Sequence, residues 1–395
     1  MNMRVYLDYN ATTPVGPEVV AAMMPYFSER FANASSIHSE GQRARYAVED
    51  ARDSVARLIG AKAADIVFTS GGTEADNLAI FGAAAAAGRP THVITSAIEH
   101  HAVLNACQKL ERDGVAVTYV AVGADGIVDP GEIRRALRAE TVLISVMHAN
   151  NELGTIQPIE AIGEIARGAG VAFHTDAVQS AGKVALDVKR LGVDLLSISG
   201  HKIYGPKGIG ALYVKAGTRL EPMFFGGHHE RDRRPGTENV AGIVGLGRAA
   251  ESARALLDES ATRIAAMRDR LEETILEMIP RCRVNGDRAR RVANTTNITF
   301  EGAEAESLVI ALDLRGVACA TGAACSSGAV EPSHVLTAIG LTPEQGRSSV
   351  RFSLGRGTVE AEIDFALRAI PAAVEKLREM SPRYRKTETS PAVGR

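Results

Sequence analysis

Seven short runs between residues 66 and 214, at 66–69, 92–95, 115–122, 141–147, 171–174, 194–199 and 209–214, read as strands, most of them apolar throughout instead of alternating apolar with polar. Alternation marks a strand with one wet face, so uniform apolarity predicts strands covered on both faces. Helical spacing falls between several of them. The pattern predicts an α/β fold with a mostly parallel, doubly wound, seven-stranded sheet between helices. Upstream, Pro17 after Gly16 opens a helical pattern through Val19, Met23, Tyr26 and Phe27. A second repeats at Ala44, Ala47, Val48, Ala51, Val55, Leu58 and Ile59, and Gly60 stops it.

Beyond Thr237 the texture changes. Helical patterns cover 240–257 and 264–278, Cys282 ends the helical stretch, and strand-like runs at 296–300 and 350–354 precede a last helix over 363–380. Residues 382–395 carry no apolar period and are expected to be disordered. The expected organisation is a segment 1–15 joining the small domain and the active site, a large domain 16–257, a small α+β domain 258–381, and the tail 382–395.

A chain of 395 residues has room for such an organisation without staples. With 45 Lys+Arg against 47 Asp+Glu and no basic block, nucleic acid is not the expected partner. Four cysteines without a C-x-x-C pair make neither a disulfide framework nor a zinc site, so no metal is expected and the compartment reads as reducing. No signal peptide is read at the start, and the Ala-rich stretch 78–88 is too short to cross a bilayer. A cytoplasmic, soluble protein without a membrane partner is expected.

Chemistry concentrates at the ends of the expected strands. Ser199-Gly200-His201-Lys202 follows the 194–199 run, putting an amine where open α/β sheets bind ligands. Alone, that is a surface lysine in a loop. Asp176 ends the run that starts at 171, and a carboxylate there needs a cationic partner. A pyridinium nitrogen is one, and pyridoxal-phosphate enzymes pair a Schiff-base lysine with an aspartate on the ring nitrogen. Gly71-Gly72-Thr73 reads as a turn between the 66–69 strand and a helix, the geometry that gathers N–H groups around an anion. No G-x-x-x-x-G-K-[ST] and no early G-x-G-x-x-G occurs, which disfavours nucleotides.

Cys325 stands in Ala320-Thr321-Gly322-Ala323-Ala324-Cys325-Ser326-Ser327-Gly328, where small neighbours leave little to pack against. A thiolate on such a segment, read as a mobile loop, suits a nucleophile that reaches a substrate and then an acceptor. Cys107, Cys282 and Cys319 read as structural.

With these residues in view the chain resembles the cysteine desulfurases of the NifS/IscS type, in the class-V aminotransferase family of fold type I pyridoxal-phosphate enzymes. The resemblance runs from Tyr6-Leu7-Asp8-Tyr9-Asn10-Ala11-Thr12-Thr13-Pro14 to about Met380. It is carried by Gly72-Thr73-Glu74-Ala75-Asp76-Asn77, Glu99-His100, Asn150-Asn151-Glu152, His174-Thr175-Asp176-Ala177-Val178-Gln179, Ser199-Gly200-His201-Lys202, the Cys325 loop with Glu331-Pro332-Ser333-His334, and Arg351-Phe352-Ser353-Leu354-Gly355-Arg356. The Cys325 loop is similar to the family's longer, mobile version.

The resemblance implies that Lys202 carries pyridoxal 5'-phosphate and later moves the substrate's α-proton. Asp176 would hold the ring nitrogen, Gln179 the 3-oxygen, and Asn151 both cofactor and substrate carboxylate. His100 would stack on the ring and transfer protons; apart from the resemblance it reads as a helix-capping histidine. Gly72, Thr73, Ser199 and His201 would bind the phosphate. Thr237 would reach the phosphate of a second subunit, which implies a homodimer. Arg351 would clamp the substrate carboxylate through its fork of N–H donors. His101 matches no family position and stays outside the expected site.

L-cysteine would become L-alanine while its sulfur moves to Cys325 as a persulfide. From there it would pass to an iron–sulfur scaffold protein or another acceptor, for nitrogenase maturation, general cluster assembly or tRNA thiolation. The resemblance implies no resident metal, only transient ligation by Cys325 of a cluster shared with the scaffold. A selenocysteine lyase or another pyridoxal-phosphate aminotransferase or lyase on the same scaffold is the alternative within the class. A non-catalytic sulfur-trafficking scaffold is the alternative outside it.

Overall fold

A computed structural model describes residues 3–88, 91–321, 332–381 and 384. In chain order the strands are β1 (Val5–Tyr6), β2 (Ile66–Thr69), β3 (His92–Ser96), β4 (Ala116–Val120), β5 (Thr141–Ser145), β6 (Ala172–Asp176), β7 (Leu195–Ser199), β8 (Gly210–Val214), β9 (Cys282–Val284), β10 (Thr295–Phe300), β11 (Val317–Ala318) and β12 (Ser349–Ser353). The seven runs expected as strands are β2 to β8, one sheet in the order β2-β8-β7-β6-β5-β3-β4. Only β8 runs against the rest, antiparallel to both β7 and β2. All residues of β2, β3, β7 and β8 are buried, whereas the edge strand β4 is mostly half-buried.

Successive residues of these strands feed opposite faces, as a pleat requires. Ile66, Phe68, Ile94, Ile144 and Ile198 join a core with the helices Ser39–Leu58 and Val240–Ala255. Val67, Val93, Leu143 and Leu195 join another core with the helices Gly72–Ala87 and His101–Arg112. Gly60, at φ +67°, takes the left-handed turn that ends the first of these helices and is disfavoured for residues with a Cβ.

A third core gathers the antiparallel sheet β12-β10-β9 with the helices Leu257–Met278 and Glu360–Met380. The chain start belongs to it: β1 pairs in parallel with β11, and Val5 and Leu7 are fully buried there. Residues 8–13 then cross to the large sheet, where the Thr13 N–H donates to the His201 carbonyl at 2.9 Å.

Some local expectations are corrected. The helical pattern through Phe27 is two helices, Pro17–Met23 and Pro25–Ser28, because Pro25 has no N–H with which to continue the first. The 240–257 and 264–278 patterns are the helices Val240–Ala255 and Leu257–Met278, separated by Leu256 alone. Cys282 does not end a helix but opens β9. Among the described residues no helix is long and apolar enough to cross a membrane.

Candidate active site

The strands β2, β3, β5, β6 and β7 all point their C-terminal ends to one edge of the sheet. The segment after each contributes to a cleft of about 640 Å³. After β2, Ser70 and Gly71 lead into the Gly72–Ala87 helix, so Gly72 and Thr73 are its first helical residues instead of turn residues. Gly71 caps that helix without a side-chain acceptor, which leaves first-turn N–H groups for an anion. A Cβ on Gly72 would stand 2.7 Å from Val178 Cγ2 and 3.5 Å from Ser199 Cβ, so the close approach of strand ends and helix depends on glycine. Ser199 and His201 line the same cleft, and His201 Nδ1 lies 3.1 Å from Thr12 Oγ1.

Lys202 follows β7 on the short turn Gly200–Lys202 and reaches back to the crossing segment. Its Nζ donates to the carbonyls of Asn10 and Ala11. Burial, then the Arg351 guanidinium, pull its pKa down to about 8, against the pull of Asp176 and Asp8. Asp176, the last residue of β6, accepts the Val178 N–H at 2.8 Å. Among the described residues it makes no ion pair, and burial pushes its carboxyl up to about 6. Asp76 also lines the cleft; burial and then Asp176 push its carboxyl well up, and its buried Oδ1 has no hydrogen-bond partner among the described residues.

His100 is both expected things at once, a capping residue and a cleft residue. It caps the His101–Arg112 helix, its Nδ1 accepting the Ala102 N–H at 3.1 Å. Burial, then Lys202, His101 and His334, lower its pKa to about 4. The ring is therefore neutral near pH 7, and with Nδ1 accepting, Nε2 carries the hydrogen.

On the opposite wall stands Arg351, from the middle of β12. Its Nη2 pairs with Asp8 Oδ1 at 2.6 Å and its Nη1 donates to the Asn151 carbonyl at 2.9 Å, and its buried Nε has no partner among the described residues. Asn151 and Gln179 line the cleft too, Gln179 donating from Nε2 to the Asn10 carbonyl at 3.0 Å.

The cleft thus brings together Gly72, Thr73, His100, Asn151, Asp176, Gln179, Ser199, His201, Lys202 and Arg351. Thr237 is exposed and absent from the cleft lining; its neighbour Glu238 pairs with Arg45 at 3.4 Å. Cys325 lies outside the described residues. Burial holds Cys107 and Cys319 up at about 12 and Cys282 at about 11, so none of these three supplies a thiolate near neutral pH.

Sequence reasoning did not place Asp8, Asn10, Asp76 or Glu152 in the site, although all lie inside motifs it singled out. His101, set aside for want of a matching position, lines the cleft with its ring centroid 4.9 Å from that of His334. Spacing alone signals none of these.

The donor set fits a phosphorylated pyridine aldehyde. An amine with a depressed pKa meets an aldehyde, a buried carboxyl without an ion pair meets a ring nitrogen, and an uncapped helix start meets a phosphate.

The family model described as aminotransferase class-V matches residues 5–365. A protein of Methanosarcina thermophila named cysteine desulfurase IscS is 52% identical over 382 residues, 96% of this chain and 94% of that one. A protein of Dictyoglomus turgidum with the same name is 48% identical over 383 residues, 97% of both chains. A solved structure described as a NifS-like protein superposes with a TM-score of 0.89 at 34% identity, covering 95% of this chain and 100% of that one.

Proposed function

The chain belongs to the class-V aminotransferase family, and we propose that it is a cysteine desulfurase that uses pyridoxal 5'-phosphate to convert L-cysteine to L-alanine, its sulfur leaving as a persulfide on Cys325. The observation that carries this is the facing of Lys202 and Asp176, from adjacent strand ends, with Arg351 across one cleft. Relatives named cysteine desulfurase at about half identity over nearly the whole chain support the reaction.

Gly72, Thr73, Ser199 and His201 would hold the phosphate, Asp176 the ring nitrogen, and Gln179 and Asn151 the ring's polar edge. When bound, the cofactor supplies an electron sink for the charge that develops as the substrate's α-proton leaves. Arg351 binds the substrate carboxylate, its plane fixed by Asp8 and the Asn151 carbonyl. Lys202 takes the α-proton at Nζ, a task suited to a lysine whose pKa is near 8. His100 Nε2–H is the second proton donor at the site.

The Cys325 thiolate attacks the substrate sulfur. An S–S bond forms, the Cβ–S bond breaks, and its electron pair goes to the three-carbon part, which is protonated and leaves as L-alanine. The persulfide then passes to an iron–sulfur scaffold or another sulfur acceptor, in the cytoplasm.

A homodimer belongs to this proposal. Thr237 and the exposed side chains Tyr46, Phe27, Phe31 and Phe225 suit cover by a second copy, with Thr237 of each reaching the other's phosphate.

The test is the Cys325→Ala protein. It should keep the yellow absorbance of the loaded cofactor and lose sulfide release from L-cysteine. Full sulfide release would overturn the desulfurase assignment in favour of a lyase without a thiol nucleophile. In Lys202→Ala, colour and turnover should vanish; unchanged turnover would overturn the cofactor assignment, and partner binding with no turnover in either protein would mark a scaffold.

A further inference from the structure

Neither Asn10 nor Lys183 has a role of its own in the sequence pattern. In the structure they meet beside the cleft. Gln179 and Lys183 stand four residues apart on the turns that follow β6, and their side chains meet. Lys183 Nζ donates to Gln179 Oε1 at 2.8 Å and to Asn10 Oδ1 at 3.1 Å. Asn10 is buried, and its amide is fixed from every side. Its Nδ2 donates to Thr295 Oγ1 at 2.8 Å and to the Asn151 carbonyl at 3.1 Å, and its Oδ1 also accepts from Asn294 Nδ2 at 3.0 Å.

These contacts decide which way round the Gln179 amide sits. A carboxamide can flip, exchanging an acceptor for a donor of nearly the same shape. Flipped here, its NH2 would confront the Lys183 donors, and its oxygen would confront the Asn10 carbonyl that now accepts from Nε2 at 3.0 Å. Burial, with Lys202 and Arg351 nearby, holds the Lys183 pKa well below the usual lysine range. Charged or neutral, the amine carries at least the two hydrogens that these two oxygens accept. The observed orientation leaves the second Nε2 hydrogen of Gln179 for a ligand in the cleft.

We propose that Lys183 is a positioning residue: with Asn10 as the fixed counterpart, it orients the Gln179 carboxamide so that an N–H, and not an oxygen, faces the ring oxygen of the bound cofactor. This rests on the pyridoxal-phosphate reading of the site. It differs from a general structural role because its effect must pass through Gln179.

The experiment loads the full-length protein with pyridoxal phosphate and follows the pH midpoint of its visible absorption band in Lys183→Met, Gln179→Ala and the double variant. Loss of an N–H donor, like loss of a nearby cation, favours the protonated form, so the midpoint moves up. The expected shift in Lys183→Met corresponds to about three- to tenfold tighter proton binding. Gln179→Ala should shift it similarly, and the double variant should match Gln179→Ala alone. Lys183→Arg, again a donor only, should retain most of the parent midpoint.

A Lys183→Met midpoint equal to the parent's overturns the proposal. So does a Lys183→Met shift that persists undiminished in the Gln179→Ala background, since that is charge acting directly on the cofactor. If Lys183→Met does not fold, Lys183→Gln, which can accept as well as donate, decides the matter by the same criterion. A parent protein that develops no band with pyridoxal phosphate refutes the cofactor reading itself, a separable outcome.

Discussion

Replacing Glu230 with alanine tests whether a buried ion pair shapes the segment that leads to Thr237. Glu230 receives Arg52 through both ends of its guanidinium, Nη1 to Oε2 at 2.7 Å and Nη2 to Oε1 at 2.8 Å, and the Phe68 N–H at 2.8 Å. The two side chains are 2% and 4% exposed. Arg52 also lies over the Phe68 ring, 4.6 Å from its centroid. The contact therefore latches the 229–232 turn to the Ser39–Leu58 helix and to β2.

That turn is strained. Glu230, Arg231 and Asp232 have φ of 47°, 56° and 65°, a conformation that costs non-glycine residues about 1–3 kcal/mol each. Deleting the carboxylate leaves the guanidinium buried with, among the described residues, only the Ile66 carbonyl and Glu49 as partners. Breaking a buried pair from one side costs about 3–5 kcal/mol. Urea denaturation of Glu230→Ala should lose an amount in that range. Limited proteolysis should cut between residues 226 and 239 sooner than in the parent, because nothing then offsets the left-handed strain. The double variant Arg52→Met/Glu230→Leu should recover most of the loss, since apolar replacement removes the stranded charge. A Glu230→Ala protein within about 1 kcal/mol of the parent, or a double variant no better than the single, would refute this account.

Other outcomes follow from the site. Gly72→Ala drives a Cβ to 2.7 Å from Val178 Cγ2, so overpacking should cost about 1–3 kcal/mol in thermal or urea unfolding and weaken pyridoxal-phosphate retention on dialysis; a protein of parental stability and colour would contradict it. Lys202 has a pKa near 8, so the free amine increases tenfold per pH unit below that value; stopped-flow capture of pyridoxal phosphate by the cofactor-free protein should speed up with pH and level off above about 8. A rate still climbing at the ordinary lysine pKa would disagree. Arg351→Lys keeps the charge but loses the fork that serves Asp8, the Asn151 carbonyl and the substrate, so the KM for L-cysteine should rise at least about tenfold in steady-state sulfide assays.

Much of this molecule was legible before any coordinates. A strand covered on both faces is mostly apolar instead of alternating, so β2 to β8 were legible as short, largely apolar runs even where they carry buried His, Ser or Thr. Lys202, Asp176 and Gly72 were legible for a related reason: each ends such a strand or lies three residues beyond its end, where the backbone of an open α/β sheet opens toward a ligand. Local pattern failed where a single residue interrupts it, as at Pro25, or where a strand is short, as at Cys282.

The tertiary structure alone decided the company these residues keep. Arg351 and Asp8 are 343 positions apart, Lys202 and Asn10 are 192 apart, and Lys183 and Asn10 are 173 apart. No periodicity links such positions, because the crossing of residues 8–13 between the cores depends on β1 pairing with β11 across the whole chain. The amino-acid sequence by itself determined which side chains end up at strand termini, a matter of local burial. Which donor meets which acceptor, which amide is held in one orientation and how far each pKa is displaced depend on long-range packing, and only the fold specifies that.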